Sequence, residues 1–231
     1  VAIAWFCPLA HAGLIISSRY SLLSTNIEFG YVGSVVSSTD TKTSTLIEDS
    51  ALTSHGAATD GAPIGDVSWD ASYQYQLDQQ FYHNSSQGLS ASGSTNLFSF
   101  AAGEGVSHLL ATNLLEVVFE NTHPSNFNLL FNHTDDSTVS IDLLISPNNW
   151  ESLFTTSSES SVASITLQLA AGIFRAKAES NVNTDNGFAN AGAWMFEIVA
   201  VPEPTAMTLI MVAYGVLMTC RTPRPRELCA L

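Results

Sequence analysis

Nineteen Asp and Glu lie between Gly13 and Val201 against four basic residues, Arg19, Lys42, Arg175 and Lys177, so paired carboxylates are the first chemistry to weigh. Asp66 with Asp70, or Asp135 with Asp136, would supply a general acid and base for glycosidic-bond hydrolysis, a reaction that needs two carboxyl groups at a set distance across a cleft. Nearness in sequence does not set that distance, and in so acidic a chain neighbouring acids arise by coincidence. The histidines of this span, His55, His83, His108, His123 and His133, show no H-x-H or H-x-x-x-H spacing and have no cysteine beside them, which argues against a zinc set. Asn181, Asn183 and Asp185 offer oxygens at alternate positions, as a calcium loop does. Gly187 comes one place late and no distal Glu follows, so an Asn-Gly turn is the better reading. No G-x-S-x-G elbow is present, and Gly103-Glu104-Gly105 reads as a turn. The expectation is a protein with no catalytic site and no cofactor, Ca²⁺ being the one ion worth testing.

The elements that would position any of these groups are strands. Trp69, Ala71, Tyr73, Tyr75 and Leu77 alternate with Asp70, Ser72, Gln74, Gln76 and Asp78, the period of a half-buried strand. The same rule is followed by Leu115, Val117 and Phe119; by Phe127, Leu129 and Phe131; by Val139, Ile141, Leu143 and Ile145; and by Ile165, Leu167 and Leu169. Phe174, Ala176 and Ala178, then Trp194, Phe196 and Ile198, complete the series. Turn-forming clusters such as Thr134-Asp135-Asp136-Ser137 and Ser146-Pro147-Asn148-Asn149 separate the runs. The pattern predicts an all-β antiparallel sandwich of jelly-roll type over residues 13–200. Asn26 to Val36 is long enough for one or two strands, whereas Ser37 to Gly65 and Gly88 to Asn96, rich in Ser, Thr, Ala and Gly, read as long loops or weak edges. If Trp69, Tyr73, Tyr75 or Trp150 formed an exposed platform, glycan binding would be favoured; burial of all four would favour a scaffold.

Composition narrows the partners. An acidic surplus repels nucleic acid and anionic lipid. Only 12% of residues are charged, so polarity comes from Ser, Thr, Asn and Gln, as on a secreted β surface. The three cysteines, Cys7, Cys220 and Cys229, all lie near the ends, so no disulfide braces the body.

The two ends carry sorting information. Val1 to Ala12 reads as the remnant of a secretory signal, with Ala10-His11-Ala12 as the cleavage site and Gly13 as the first mature residue. At the other end Val201-Pro202-Glu203-Pro204 precedes an uncharged run from Thr205 to Cys220, roughly 24 Å long as a helix against a hydrocarbon core of about 30 Å. Arg221, Arg224 and Arg226 follow; by snorkelling they help the short helix across and hold the tail on the cytoplasmic side. This order of parts in residues 201–231 resembles the PEP-CTERM sorting signal of Gram-negative bacteria. The stretch from Ser94 to Val199, with Ala171-Gly172-Ile173-Phe174 before a last aromatic strand, is similar to the body of many such proteins. The resemblance implies processing by exosortase, transient residence in the inner membrane, delivery to the cell surface or beyond, and association with exopolysaccharide or biofilm. The alternatives are a carbohydrate-binding or glycoside-cleaving module and a permanently anchored surface protein. In a bacterial protein the sequons at Asn84 and Asn132 carry no glycan signal.

Overall fold

An alternating chain buries one face of each strand, and two such faces must be laid together to exclude water. A computed structural model describes residues 14–64, 67–84, 88–156 and 162–201, with Val212 and Tyr214. The leader with Ala10, Ala12 and Gly13, the acid Asp66, the motif residues Pro202, Glu203 and Pro204, the rest of the expected membrane helix, and Arg221, Arg224 and Arg226 lie outside the described residues. Among the described residues no helix is long and apolar enough to cross a membrane.

Twelve strands follow one another among the described residues. They are β1 (Leu14–Tyr31), β2 (Ser34–Ser44), β3 (Ser50–Ile64), β4 (Val67–Asn84), β5 (Gly88–Gly103) and β6 (Gly105–Asn121), then β7 (Ser125–His133), β8 (Ser137–Ser146), β9 (Asn149–Thr155), β10 (Val162–Leu169), β11 (Gly172–Asp185) and β12 (Ala189–Ala200). They form two six-stranded sheets, β2-β1-β6-β11-β8-β9 and β10-β7-β12-β5-β4-β3, here the first and second sheet. Every pairing is antiparallel. The architecture is the all-β, two-sheet sandwich that the alternation predicts.

Two stretches expected to be loops or weak edges are strands. The region from Ser37 towards Gly65 forms most of β2 and β3, the outermost strands on one side of each sheet, and Gly88 to Asn96 opens β5 in the middle of the second sheet. β2 is exposed along nearly its whole length, so it has no apolar face to write a period of two. In β5 the small residues make room for bulky neighbours: a Cβ at Gly93 would stand 2.5 Å from the Trp194 ring.

The inward residues gather into two apolar clusters. One holds Phe81, Phe119, Phe127, Phe131, Phe174 and Phe196; the other holds Leu23, Ile27, Tyr75, Leu77, Leu97 and Leu109. A side chain of this size contributes about 1.5–3 kcal/mol when fully buried. Between the clusters runs a polar layer, since Asn113 stands between Ala111 and Leu115 on β6, and Gln79 between Leu77 and Phe81 on β4. Gln79 Nε2 donates to Asn113 Oδ1 at 3.1 Å, while Asn113 Nδ2 donates to the carbonyls of Asp78 and Ser94 at 3.0 and 3.1 Å. Trp194 Nε1 donates to the Asn113 carbonyl at 3.3 Å.

The side of the sandwich where β2 faces β3 is closed by polar contacts. Ser54 and Tyr75 both donate to Asp40 Oδ2, the latter at 3.0 Å, and Lys42 Nζ donates to the Thr53 carbonyl at 2.8 Å. The Ser54 hydrogen bond, assisted by Tyr75 and Lys42, holds the Asp40 carboxyl below its usual range against the opposing effect of burial. Burial first, and then Asp40, pushes the Tyr75 hydroxyl up to about 12. Arg19, 3% exposed, donates to the carbonyls of Leu46 and Glu48 at 2.9 and 3.3 Å and lies 4.5 Å above the Phe81 ring, so it fixes the passage from β2 to β3.

Candidate functional site

Among the described residues, those singled out for chemistry do not converge. Asp70 is exposed on β4, and Asp135 and Asp136 are exposed in the turn between β7 and β8, where the Asp136 carbonyl accepts from the Asn181 amide at 3.1 Å. Asn181, Asn183 and Asp185 project from β11 on the outer face of the first sheet, each paired across to β6. Thr112 Oγ1 donates to Asn181 Oδ1 at 2.8 Å, Asn181 Nδ2 donates to Glu179 at 2.7 Å, and Asp185 contacts His108 Nδ1. The oxygens therefore lie along a strand, and the positive φ of Asn186 and Gly187 makes the turn that follows them. Among the described residues no three His, Cys, Asp or Glu side chains gather as a metal set.

The aromatic platform considered in the sequence is not built from those residues. Trp69 and Tyr75 are buried between the sheets, and Tyr73 packs against the second cluster, edge-on to Phe29 at 5.2 Å. Trp150 is half-buried on the outer face of the first sheet, with the Arg175 guanidinium 4.6 Å above its ring.

What the fold does assemble is a groove of about 630 Å³ on the outer face of the second sheet, crossing β3, β4, β5, β12 and β7. Cross-strand pairing sets its lining in two rows. Ala51, Gln80, Ser92, Met195 and Asn132 form one, and Thr53, Asp78, Ser94 and Ala193 the other, with Thr134 at its end. A second groove of about 420 Å³ shares Thr53 and Asp78 with the first and continues past His55, Gln74 and Gln76. The walls combine hydroxyls and side-chain amides with apolar carbon, which is the larger share in the first groove and about half in the second. Asp78 is the one charged side chain lining either groove among the described residues, and it accepts from Gln76 Nε2 at 2.8 Å.

The outer face of the first sheet is different in kind. Arg175 donates twice to Asp142 Oδ2, at 2.9 and 2.7 Å, and approaches Glu116 at 3.8 Å, while Lys177 pairs with Glu179 at 2.7 Å. Asp142 is only 5% exposed, with the Arg175 guanidinium bonded to its carboxylate.

Gln80, Ser92, Ser94 and Asn132 were not among the candidates because isolated amides and hydroxyls carry no motif. Phe98 and Phe100 left a signal: with Asn96 they share the parity of the polar side of β5, an unusual place for two aromatic rings. No protein-family model matches the chain, and no curated protein does. Among solved structures, that of TmCBM61 in complex with β-1,4-galactotriose is similar to 44% of this chain and 73% of that chain, at 12% identity and a TM-score of 0.25.

Proposed function

We propose that this chain is an exported, non-catalytic surface protein that holds neutral polysaccharide, of the exopolysaccharide kind, in the joined grooves of the second sheet. The observation that carries the reading is the lining. Hydroxyls and amides that both donate and accept suit a polyhydroxylated ligand, and a wall with one carboxylate and, among the described residues, no lysine or arginine suits an uncharged one.

The acids on this face support binding over cleavage. By strand register Asp70 lies eight residues from Asp78 on β4, about 26 Å away, and Glu197 lies about 16 Å from it across two strands. Glycosidases need their two carboxyls within about 5–10 Å. The strand order supports the jelly-roll reading, since β5-β12-β7-β10 opposite β6-β11-β8-β9 is the order in which eight strands of a jelly roll interleave.

Delivery to the surface rests on Val201-Pro202-Glu203-Pro204, the apolar run and the three arginines, read as a PEP-CTERM-type signal cut by exosortase after transient insertion in the inner membrane. Mass spectrometry of the surface-located protein in an exosortase-bearing host tests this part: a mature chain lacking Thr205 onwards supports it, and an intact Leu231 terminus replaces it with a permanent anchor. Affinity electrophoresis tests the binding part. Neutral polysaccharide in the gel should retard the protein while an acidic one does not, and hydrolysis of a retained glycan would overturn the non-catalytic reading.

A further inference from the structure

Three phenylalanines are more than one-third exposed: Phe98 at 43%, Phe100 at 42% and Phe188 at 69%. They gather around Ser99, which lies between the first two; its amide donates to the Phe188 carbonyl at 3.0 Å, and its carbonyl accepts from Gly187 N at 2.9 Å. Thr184 Oγ1 also donates to the Phe188 carbonyl, at 2.7 Å. The backbone carrying Phe188 is thus tied to two strands, while its ring projects into water. Every other phenylalanine among the described residues is buried or partly buried, so the exposure is local to this corner.

Phe98 and Phe100 share the outer face of β5 with Ser92 and Ser94 of the groove. Cross-strand partners join the two places: Phe98 pairs with Gln74, which lines the second groove, and Phe100 pairs with Ser72. The other end of β4 carries Tyr82, 53% exposed, with its hydroxyl 3.3 Å from Gln80 Oε1. One face along β4 and β5 therefore reads ring, amides and hydroxyls, ring, over ten residues of β4 from Tyr82 to Ser72, roughly 33 Å of strand.

We infer that this face is a single extended binding track for a linear neutral glycan, with Phe98 and Phe100 as a stacking subsite at one end and Tyr82 closing the other. The inference rests on the glycan reading and adds its length and its aromatic contacts. A pyranose ring presents axial C–H groups on its faces and hydroxyls around its edge. The C–H groups settle on the electron-rich face of a phenyl ring, and the hydroxyls need amides and hydroxyls beside them. Gln74, Gln76 and Asn96 stand where those hydroxyls would fall. A membrane surface suits the patch poorly, because the body carries nineteen acids against four bases and, among the described residues, no lysine or arginine lines the adjoining grooves.

The test is calorimetric titration of the full-length chain with laminari-, cello- and xylo-oligosaccharides of two to six units. Affinity for at least one series should rise with length, and Phe98→Ala with Phe100→Ala should weaken the hexamer about tenfold and flatten that rise. Phe98→Trp should restore the hexamer affinity and add a tryptophan emission shift on binding. If the double variant keeps the full gain with length, the subsite is overturned while glycan binding stands. If no oligosaccharide binds at any length, the glycan reading falls and the track with it. Concentration-dependent dimerisation abolished by the double variant, with length dependence unaffected, would assign the patch to a second copy of the chain instead.

Discussion

On the outer face of the first sheet Arg175 and Lys177 stand among Glu116, Asp142 and Glu179; on that of the second, Gln80, Ser92, Ser94 and Asn132 surround a single carboxylate, Asp78. Both faces come from the same alternation over the same core, so their difference is one of chemistry. Ion pairs satisfy each other and leave little for a ligand to claim, whereas amides and hydroxyls along a groove can exchange water, or a weak contact such as that of Tyr82 with Gln80, for a ligand. The first face is expected to contribute to stability and the second to recognition.

Asp142→Ala separates the two roles most sharply. It leaves Arg175 facing Trp150 without its closest carboxylate, and urea unfolding should show a loss of about 2 kcal/mol, below the 3–5 kcal/mol of fully buried pairs because Arg175 keeps some contact with water. Glycan affinity should stay unchanged; a parallel loss would mean that the faces are not independent. Gln80→Ala with Asn132→Ala is the mirror experiment, expected to weaken polysaccharide retention about tenfold, some 1.4 kcal/mol, with unfolding unaltered.

The edge contacts add a smaller, pH-dependent effect. Because the folded pKa of Tyr75 is raised to about 12, the stability it contributes is complete below about pH 10 and is lost as pH rises through 12. Asp40, lowered by Ser54, acts in the opposite sense: its contribution is present above the ordinary carboxylate range and is lost as pH falls through its lowered value. Tyr75→Phe should flatten the alkaline limb of a stability-versus-pH curve and only weaken the acid limb, because Asp40 loses the Tyr75 hydrogen bond but keeps the larger contribution of Ser54. Smallest of all, 0.5 M NaCl should reduce stability by less than about 1 kcal/mol through the partly exposed Lys177–Glu179 pair, with no change in affinity for a neutral glycan.

The strands with one apolar face were plain in the sequence because burial of one side writes a period of two, as in Leu115, Val117 and Phe119 or Trp194, Phe196 and Ile198. β2 was not, since an edge strand with both faces wet has nothing to alternate. The start of β5 was hidden for a different reason, because Gly93 is small to admit Trp194, a ring contributed from a hundred residues away. The groove was the least legible part. Its residues come from five strands and are ordinary one at a time; cross-strand pairing alone sets them in rows.

Asn113 settles how the strands are aligned lengthwise. Sliding β6 by two residues against its neighbours would keep every side chain on its own side of the sheet, and long strands of Ser, Thr and Ala offer many such alignments of similar energy. Any slide would carry the Asn113 amide into hydrocarbon, away from Gln79, Asp78 and Ser94, leaving a buried amide without partners at a cost of about 1–3 kcal/mol or more. One asparagine thus acts as an index mark that admits a single alignment of the sandwich.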